Sequence, residues 1–176
     1  TLYSGHLAMG TNVGLFEKQL AQWLGTKNVC AVGDASGGLT LALWAAGVRA
    51  GDEVIMSPLT CLATSMPVAN LFARPVWCDV DPDTGMMDSA LIPSLITSRT
   101  RAILAYHWSG NVGDLDNLRR IATQAGIALI EDATEAFGAE FGGRKLGNQS
   151  ADFTVLSFGA VRHLTCGEGG AICALS

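Results

Sequence analysis

The chain has 176 residues, 49% of them hydrophobic and 15% charged, with a net charge of −5. That length supports one substantial core, and the composition is too apolar for a disordered protein. Arg119-Arg120 and Arg144-Lys145 are adjacent basic pairs without a basic stripe around them, which argues against nucleic acid or an anionic membrane as the main partner.

In chain order, Leu15-Phe16, Leu20 and Trp23-Leu24 follow helical spacing. Val29–Val32 is a short apolar strand running into Gly33-Asp34, and Ser36–Ala46 reads as a helix stopped by Gly47. Glu53–Met56 is a strand, and Leu62–Phe72 a helix that Pro67 should strain. Pro75–Val80 is predicted as a strand closed by the turn Asp81-Pro-Asp-Thr-Gly85, followed by a helix over Ser89–Ile96 and a strand over Arg101–His107. Asp114–Gln124 is an amphipathic helix with Gly126 as its C-cap. Ile127–Ile130 is a continuous apolar strand entering Glu131-Asp132, and Phe153–Phe158 and Ala171–Leu175 are the last strands. Strands alternating with helices throughout predict one α/β domain over residues 1–176, a three-layer sandwich around a mostly parallel sheet.

The five cysteines form no Cys-x-x-Cys pair. Cys30, Cys78 and Cys173 lie in apolar runs and read as small buried hydrophobes, which fits a reducing cytoplasm. No stretch reads as a signal peptide or a membrane span. Three histidines without matched spacing predict no metal site.

Asp132 ends an apolar strand, and open α/β sheets bind ligands at the carboxyl ends of their strands. The bland reading is a helix cap. Asp34-Ala35-Ser36 precedes a helix whose first N–H groups and dipole suit a phosphate; Asp34 itself must turn away from an anion or cap the helix. A dinucleotide site is the weaker reading there, because Ala35 stands where the second glycine of Gly-x-Gly-x-x-Gly belongs.

The segment Ser157-Phe-Gly-Ala-Val-Arg-His-Leu-Thr-Cys-Gly-Glu-Gly-Gly170 resembles the active-site segment of the DegT/StrS sugar aminotransferases, fold-type-I enzymes that use pyridoxal 5′-phosphate. Glu131-Asp-Ala-Thr-Glu-Ala136, Ser57-Pro-Leu-Thr-Cys-Leu-Ala-Thr64 and His107-Trp-Ser-Gly-Asn111 with Asp114-Leu-Asp116 also match family segments. The resemblance runs from Tyr3-Ser-Gly5 to Ile172, the large domain; full-length members carry a smaller C-terminal domain beyond it, so the chain is expected to lack one. It implies that Asp132 holds the pyridine nitrogen, that Ala35, Ser36 and Ser157 hold the phosphate, and that Cys61 contacts the ring; a buried cysteine at a helix start remains the alternative for Cys61. Glu135 stands where members carry His or Gln close to the ring.

The family's Schiff-base lysine aligns with Arg162. Arginine keeps its proton (pKa above ~12) and supplies neither a nucleophilic amine nor a general base. A dehydratase branch has His at the lysine position, whereas His163 lies one residue later. Lys18, Lys27 and Lys145 fall outside the motif. The resemblance therefore implies an aminotransferase acting on a nucleotide-linked keto sugar, with glutamate as amino donor and a homodimeric assembly. Arg162 implies that this chain is inactive or trapped, binding cofactor without a covalent bond. The alternative is a non-catalytic relative with a regulatory or structural role.

Overall fold

The computed structural model describes Tyr3 and residues 9–175; Ser4 and Gly5 of the matched Tyr3-Ser-Gly5 segment lie outside the described residues. The helices are α1 (Thr11–Leu24), α2 (Ala35–Ala45), α3 (Leu62–Asn70), α4 (Ile92–Leu95) and α5 (Leu115–Ala125). The strands are β1 (Asn28–Val32), β2 (Glu53–Met56), β3 (Arg74–Trp77), β4 (Thr100–Tyr106), β5 (Ala128–Asp132), β6 (Glu140–Phe141), β7 (Arg144–Lys145), β8 (Phe153–Ser157) and β9 (Gly170–Ala174).

Seven strands form one sheet in the order β1-β9-β8-β5-β4-β2-β3. Strand β9 runs antiparallel to both neighbours, and the remaining pairings are parallel. Alternating side chains give the sheet two apolar faces. Val54, Met56, Ala102, Leu104, Ile130, Val155 and Ile172 meet Leu39, Leu43 and Val68 of α2 and α3. Ile55, Ile103, Leu129, Leu156 and Cys173 meet Leu20 and Leu24 of α1 and Leu118 and Ile121 of α5. This is the expected three-layer sandwich, and the strands predicted around residues 29–32, 102–106, 127–131 and 153–157 lie in one sheet.

The local signals that held are caps. Asp34 accepts a hydrogen bond from the Gly37 N–H at 2.7 Å and starts α2; Asp114 accepts one from Asn117 and starts α5. Gly126, at φ 65°, ends α5 in the left-handed region.

Several expectations need correction. The helix over Ser89–Ile96 is one turn, Ile92–Leu95, because Ile96 is already extended and Asp88 folds the preceding residues into a turn by accepting the Ala90 N–H. The strand Pro75–Val80 ends at Trp77; Val80 makes a lone bridge to Met87 instead. The hairpin β6-β7 has no counterpart among the expected elements, its strands being two residues each around Gly142-Gly143. Cys30 is exposed, not buried, because β1 is an edge strand; Cys78 and Cys173 are buried as expected. All five cysteines are free. Among the described residues, no helix is long and apolar enough to cross a membrane.

Candidate functional site

Asp132 is the last residue of β5, fully buried, and pairs in register with Val155 of β8. It shares the parity of Ile130, so its side chain lies on the α2/α3 face. Tyr106, opposite it on β4, and Ser157, two residues beyond Val155, take the same face by the same alternation. Asp132 therefore caps no helix. Its Oδ2 accepts the Thr64 hydroxyl of α3 at 2.7 Å, and its Oδ1 accepts the Thr134 N–H at 3.0 Å. Burial raises its pKa above the ordinary carboxylate range, and the Thr134 and Thr64 hydrogen bonds offset only part of that.

The cleft above Asp132 is also lined by Ala35, Ser36, Cys61, Thr134 and Arg162. Helix α2 directs its N-terminus here, where the Ala35 and Ser36 N–H groups have no intrahelical acceptor. Gly170 allows this approach: a Cβ there would lie 2.9 Å from the Leu156 carbonyl oxygen and 3.2 Å from the Ala35 nitrogen. Gly170 pairs with Ser157, so the Ser157 hydroxyl sits on the strand beside the same helix end. Ser157 Oγ accepts from the Gly159 N–H at 3.4 Å.

Ser36 has a local occupation that the sequence reading missed. Pro67 has no N–H for the Ala63 carbonyl one turn earlier in α3, and the Ser36 hydroxyl donates to that carbonyl at 3.2 Å. Cys61 is exposed at the start of α3, with its Sγ 3.6 Å from Thr64 Oγ1, so the buried alternative for it is wrong.

Glu135 lies on the loop after β5, and Phe137 anchors that loop by stacking on Trp23 at 4.9 Å and meeting Phe158 edge-on at 5.7 Å. Glu135 Oε2 accepts the Ser109 N–H at 2.9 Å, and Oε1 lies 3.3 Å from Arg162 Nη1. Ser109 takes φ 56° to present that N–H. Burial pushes the Glu135 pKa up, but hydrogen bonds from the Ser109 N–H, the Tyr106 hydroxyl and Arg162 outweigh it and hold the carboxyl below its usual range. Burial, together with the hydrogen bond to Glu135, pushes the Tyr106 phenol upward in turn.

Arg162 sits on the irregular segment between β8 and β9, in a turn closed by its own N–H to the Gly159 carbonyl at 3.1 Å. Its side chain is part of the lining of the cleft, which encloses about 20 Å³. His107 is outside the cleft, buried behind it, with Nε2 3.7 Å from Glu131 Oε1. A roomier hollow of about 300 Å³ between β1 and α2, lined by Cys30, Leu41 and Phe153, is almost wholly apolar and offers no convergent polar groups. Among the described residues, no group of three or more His, Cys, Asp or Glu side chains is arranged to hold a metal ion.

The structure thus brings Ala35, Ser36, Cys61, Asp132 and Arg162 into one cleft, with Glu135 bonded to Arg162 at its rim and Ser157 on the adjoining strand end. Thr64, Thr134 and Tyr106 are participants that the sequence reading left without a role. Strand alternation with Asp132 could have flagged Tyr106; nothing local flags Thr64.

A family model, that of the DegT/DnrJ/EryC1/StrS aminotransferase family, matches residues 1–175. Among solved structures, the chain is similar to S. venezuelae DesV in complex with a ketimine intermediate, at 35% identity and a TM-score of 0.95, covering 99% of this chain and 47% of that one. It is similar to the aminotransferase from Psychrobacter cryohalolentis at 33% identity and a TM-score of 0.91, covering 95% of this chain and 42% of that one. A putative sugar aminotransferase from Streptococcus pneumoniae, in its PMP form, matches at 29% identity and a TM-score of 0.95, covering 100% of this chain and 48% of that one. The chain spans less than half the length of each of these proteins.

Proposed function

The chain belongs to the DegT/DnrJ/EryC1/StrS aminotransferase family, and from that premise we propose that residues 1–176 form the cofactor-binding domain of a pyridoxal-phosphate-type sugar aminotransferase that holds its cofactor without a covalent bond. Its three-layer architecture is that of the large domain of fold-type-I aminotransferases. The observation that carries the proposal is Asp132: a fully buried carboxyl without a basic hydrogen-bonding partner, at the carboxyl end of a central strand, sharing a cleft with the N-terminus of α2.

The residues present suit the group. A pyridinium N–H at Asp132 would supply the charged hydrogen-bond donor that Thr64 and Thr134 do not, and would favour the ionised carboxylate. The Ala35 and Ser36 N–H groups and the Ser157 hydroxyl can donate to a phosphate, while Asp34 is turned into its capping bond with Gly37. The Ser36 hydroxyl joins them by leaving the Ala63 carbonyl. Cys61 offers a polarisable edge to the ring, and Glu135 brings a negative charge near it. Arg162 lines the cleft while already paired with Glu135, and with about 20 Å³ enclosed its side chain would have to shift for the ring to enter. When bound, the cofactor acts as an electron sink for bonds broken at the substrate's amine-bearing carbon.

By family, the substrates are a nucleotide-linked keto sugar and an amino donor such as glutamate, handled by a homodimer. The five free thiols suit a reducing cytoplasm. The pairing of Arg162 with Glu135 favours the second reading, a relative that binds the cofactor without turnover. The test is a fluorescence titration with pyridoxal 5′-phosphate. Asp132→Asn keeps the shape and removes the charge, so it is expected to weaken binding about 10-fold or more, as losing a charge-assisted hydrogen bond does. Equal affinity for the two proteins refutes the assignment of Asp132.

A further inference from the structure

Arg162 and Glu135, which the family resemblance marks as separate departures from its pattern, stand 27 residues apart in sequence and meet in space. Resting on the cofactor reading above, we propose that they form a matched pair in which Glu135 is a positioning residue: it fixes a cation at position 162 and would keep a lysine placed there protonated and non-nucleophilic.

The geometry supports this at three points. Glu135 is held from a second side besides Arg162, by the Ser109 N–H at 2.9 Å, and the nearby Tyr106 phenol helps keep its carboxyl below the usual range. Three loops, those following β4, β5 and β8, therefore converge on one carboxylate, which cannot easily turn away from whatever stands at position 162. The pair is partly shielded from water, the side chains of Arg162 and Glu135 being 21% and 30% exposed, so solvent and salt screen it incompletely. The hydrogen bonds to Glu135 also keep it ionised despite its burial.

A lysine amine forms a covalent link with the cofactor's aldehyde only when neutral. Its lone pair forms the carbon–nitrogen bond, the carbonyl oxygen leaves as water carrying the amine's two protons, and no oxidant or reductant takes part. A fixed anion at ion-pair distance opposes this, since an opposite charge within about 4–6 Å lowers the neutral fraction about 10-fold or more. The other ionisable groups around position 162 are Asp132 and Cys61 in the cleft, Tyr106 behind Glu135, and His163 and Glu168 on its own loop. With cofactor bound, the charge of Asp132 would be met by the pyridinium, which leaves Glu135, 3.3 Å from Arg162 Nη1, as the anion directly at position 162. Restoring the family lysine alone is therefore insufficient; position 135 must lose its charge as well.

The experiment compares the unsubstituted chain with Arg162→Lys, with Arg162→Lys/Glu135→Gln and with Arg162→Lys/Glu135→Asp. Each is incubated with pyridoxal 5′-phosphate, reduced with borohydride and mapped by peptide mass over about pH 6 to 10, the range in which a perturbed lysine titrates. The unsubstituted chain is expected to carry no pyridoxyl group at position 162. Arg162→Lys should label slowly near neutral pH and faster as the pH rises. The Gln double variant should label about 10-fold faster near neutral pH, with its profile displaced to lower pH. The Asp double variant keeps the charge and should stay slow, which separates charge from mere packing. Thermal melts establish that each variant folds, and Arg162→Lys/Glu135→Ala replaces the Gln variant if that one does not. Superimposed pH profiles for the Lys and Lys/Gln variants overturn the proposal. Failure of both to label, while fluorescence shows cofactor bound, overturns it too, because the obstacle then lies elsewhere in the cleft. Absence of binding in every protein is a different result: it rejects the cofactor reading, and the proposal falls with it.

Discussion

Replacing Thr64 by valine tests how far Asp132 relies on the helix that faces it. The substitution nearly preserves shape and removes the hydroxyl that donates to Asp132 Oδ2 at 2.7 Å, with both residues buried. A hydrogen bond to a charged group contributes about 1.5–3 kcal/mol and one between neutral groups about 1 kcal/mol, so the cost depends on the charge state of Asp132. Burial raises the folded-state pKa of Asp132 above its unfolded value. The sign follows: the folded state binds this proton more tightly than the unfolded chain, so the stability linked to Asp132 is complete below the unfolded pKa and is lost as pH rises through the folded one. Thr64→Val removes one of the bonds that favour the ionised form and raises the folded pKa further. Its penalty should therefore grow as pH rises through the folded-state pKa, from near 1 kcal/mol where Asp132 is protonated toward about 1.5–3 kcal/mol where it is ionised. Urea denaturation curves of both proteins, cofactor-free, at the lowest and the highest pH at which they fold give the differences directly. A penalty that is the same at both pH values, or below about 0.5 kcal/mol throughout, refutes the reasoning, because the hydroxyl would then not be serving a carboxyl that titrates.

Two further substitutions separate the phosphate end of the cleft from the fold. Ser36→Asp places a carboxylate in the first turn of α2, where the helix dipole favours it, so stability should stay within about 1 kcal/mol while pyridoxal 5′-phosphate affinity falls about 10-fold or more in a fluorescence titration. Unchanged affinity would remove Ser36 from the phosphate site. Gly170→Ala sets a Cβ against the Leu156 carbonyl oxygen and the Ala35 nitrogen at 2.9 and 3.2 Å. Because backbone stands on both sides, the expected cost is about 1–3 kcal/mol by urea denaturation, with weaker cofactor binding as α2 is pushed from Ser157. A stable, tight-binding Gly170→Ala protein would show that this close approach is not needed.

Sequence alone determined what short-range physics encodes. The apolar run Ile127–Ile130 ending in Glu131-Asp132 marked a central strand with a carboxylate at its functional end, and Asp34, Asp114 and Gly126 marked helix ends, because caps and periodicity act within a few residues. The family motifs marked the cleft residues and made Arg162 conspicuous. Tertiary structure alone decided the rest. Cys30 lies in an apolar run yet is exposed, since strand order puts β1 at the sheet edge. The one-turn α4 and the two-residue strands of the β6-β7 hairpin are too short for periodicity to register. Thr64 reaches Asp132 across 68 residues, and Glu135 reaches Arg162 across 27. Those contacts arise from which strands neighbour each other and where the loops at their carboxyl ends converge. The charge state of the cleft follows from that convergence: a carboxyl's ionisation depends on its surroundings in space, and for Asp132 and Glu135 most of those surroundings come from distant parts of the chain.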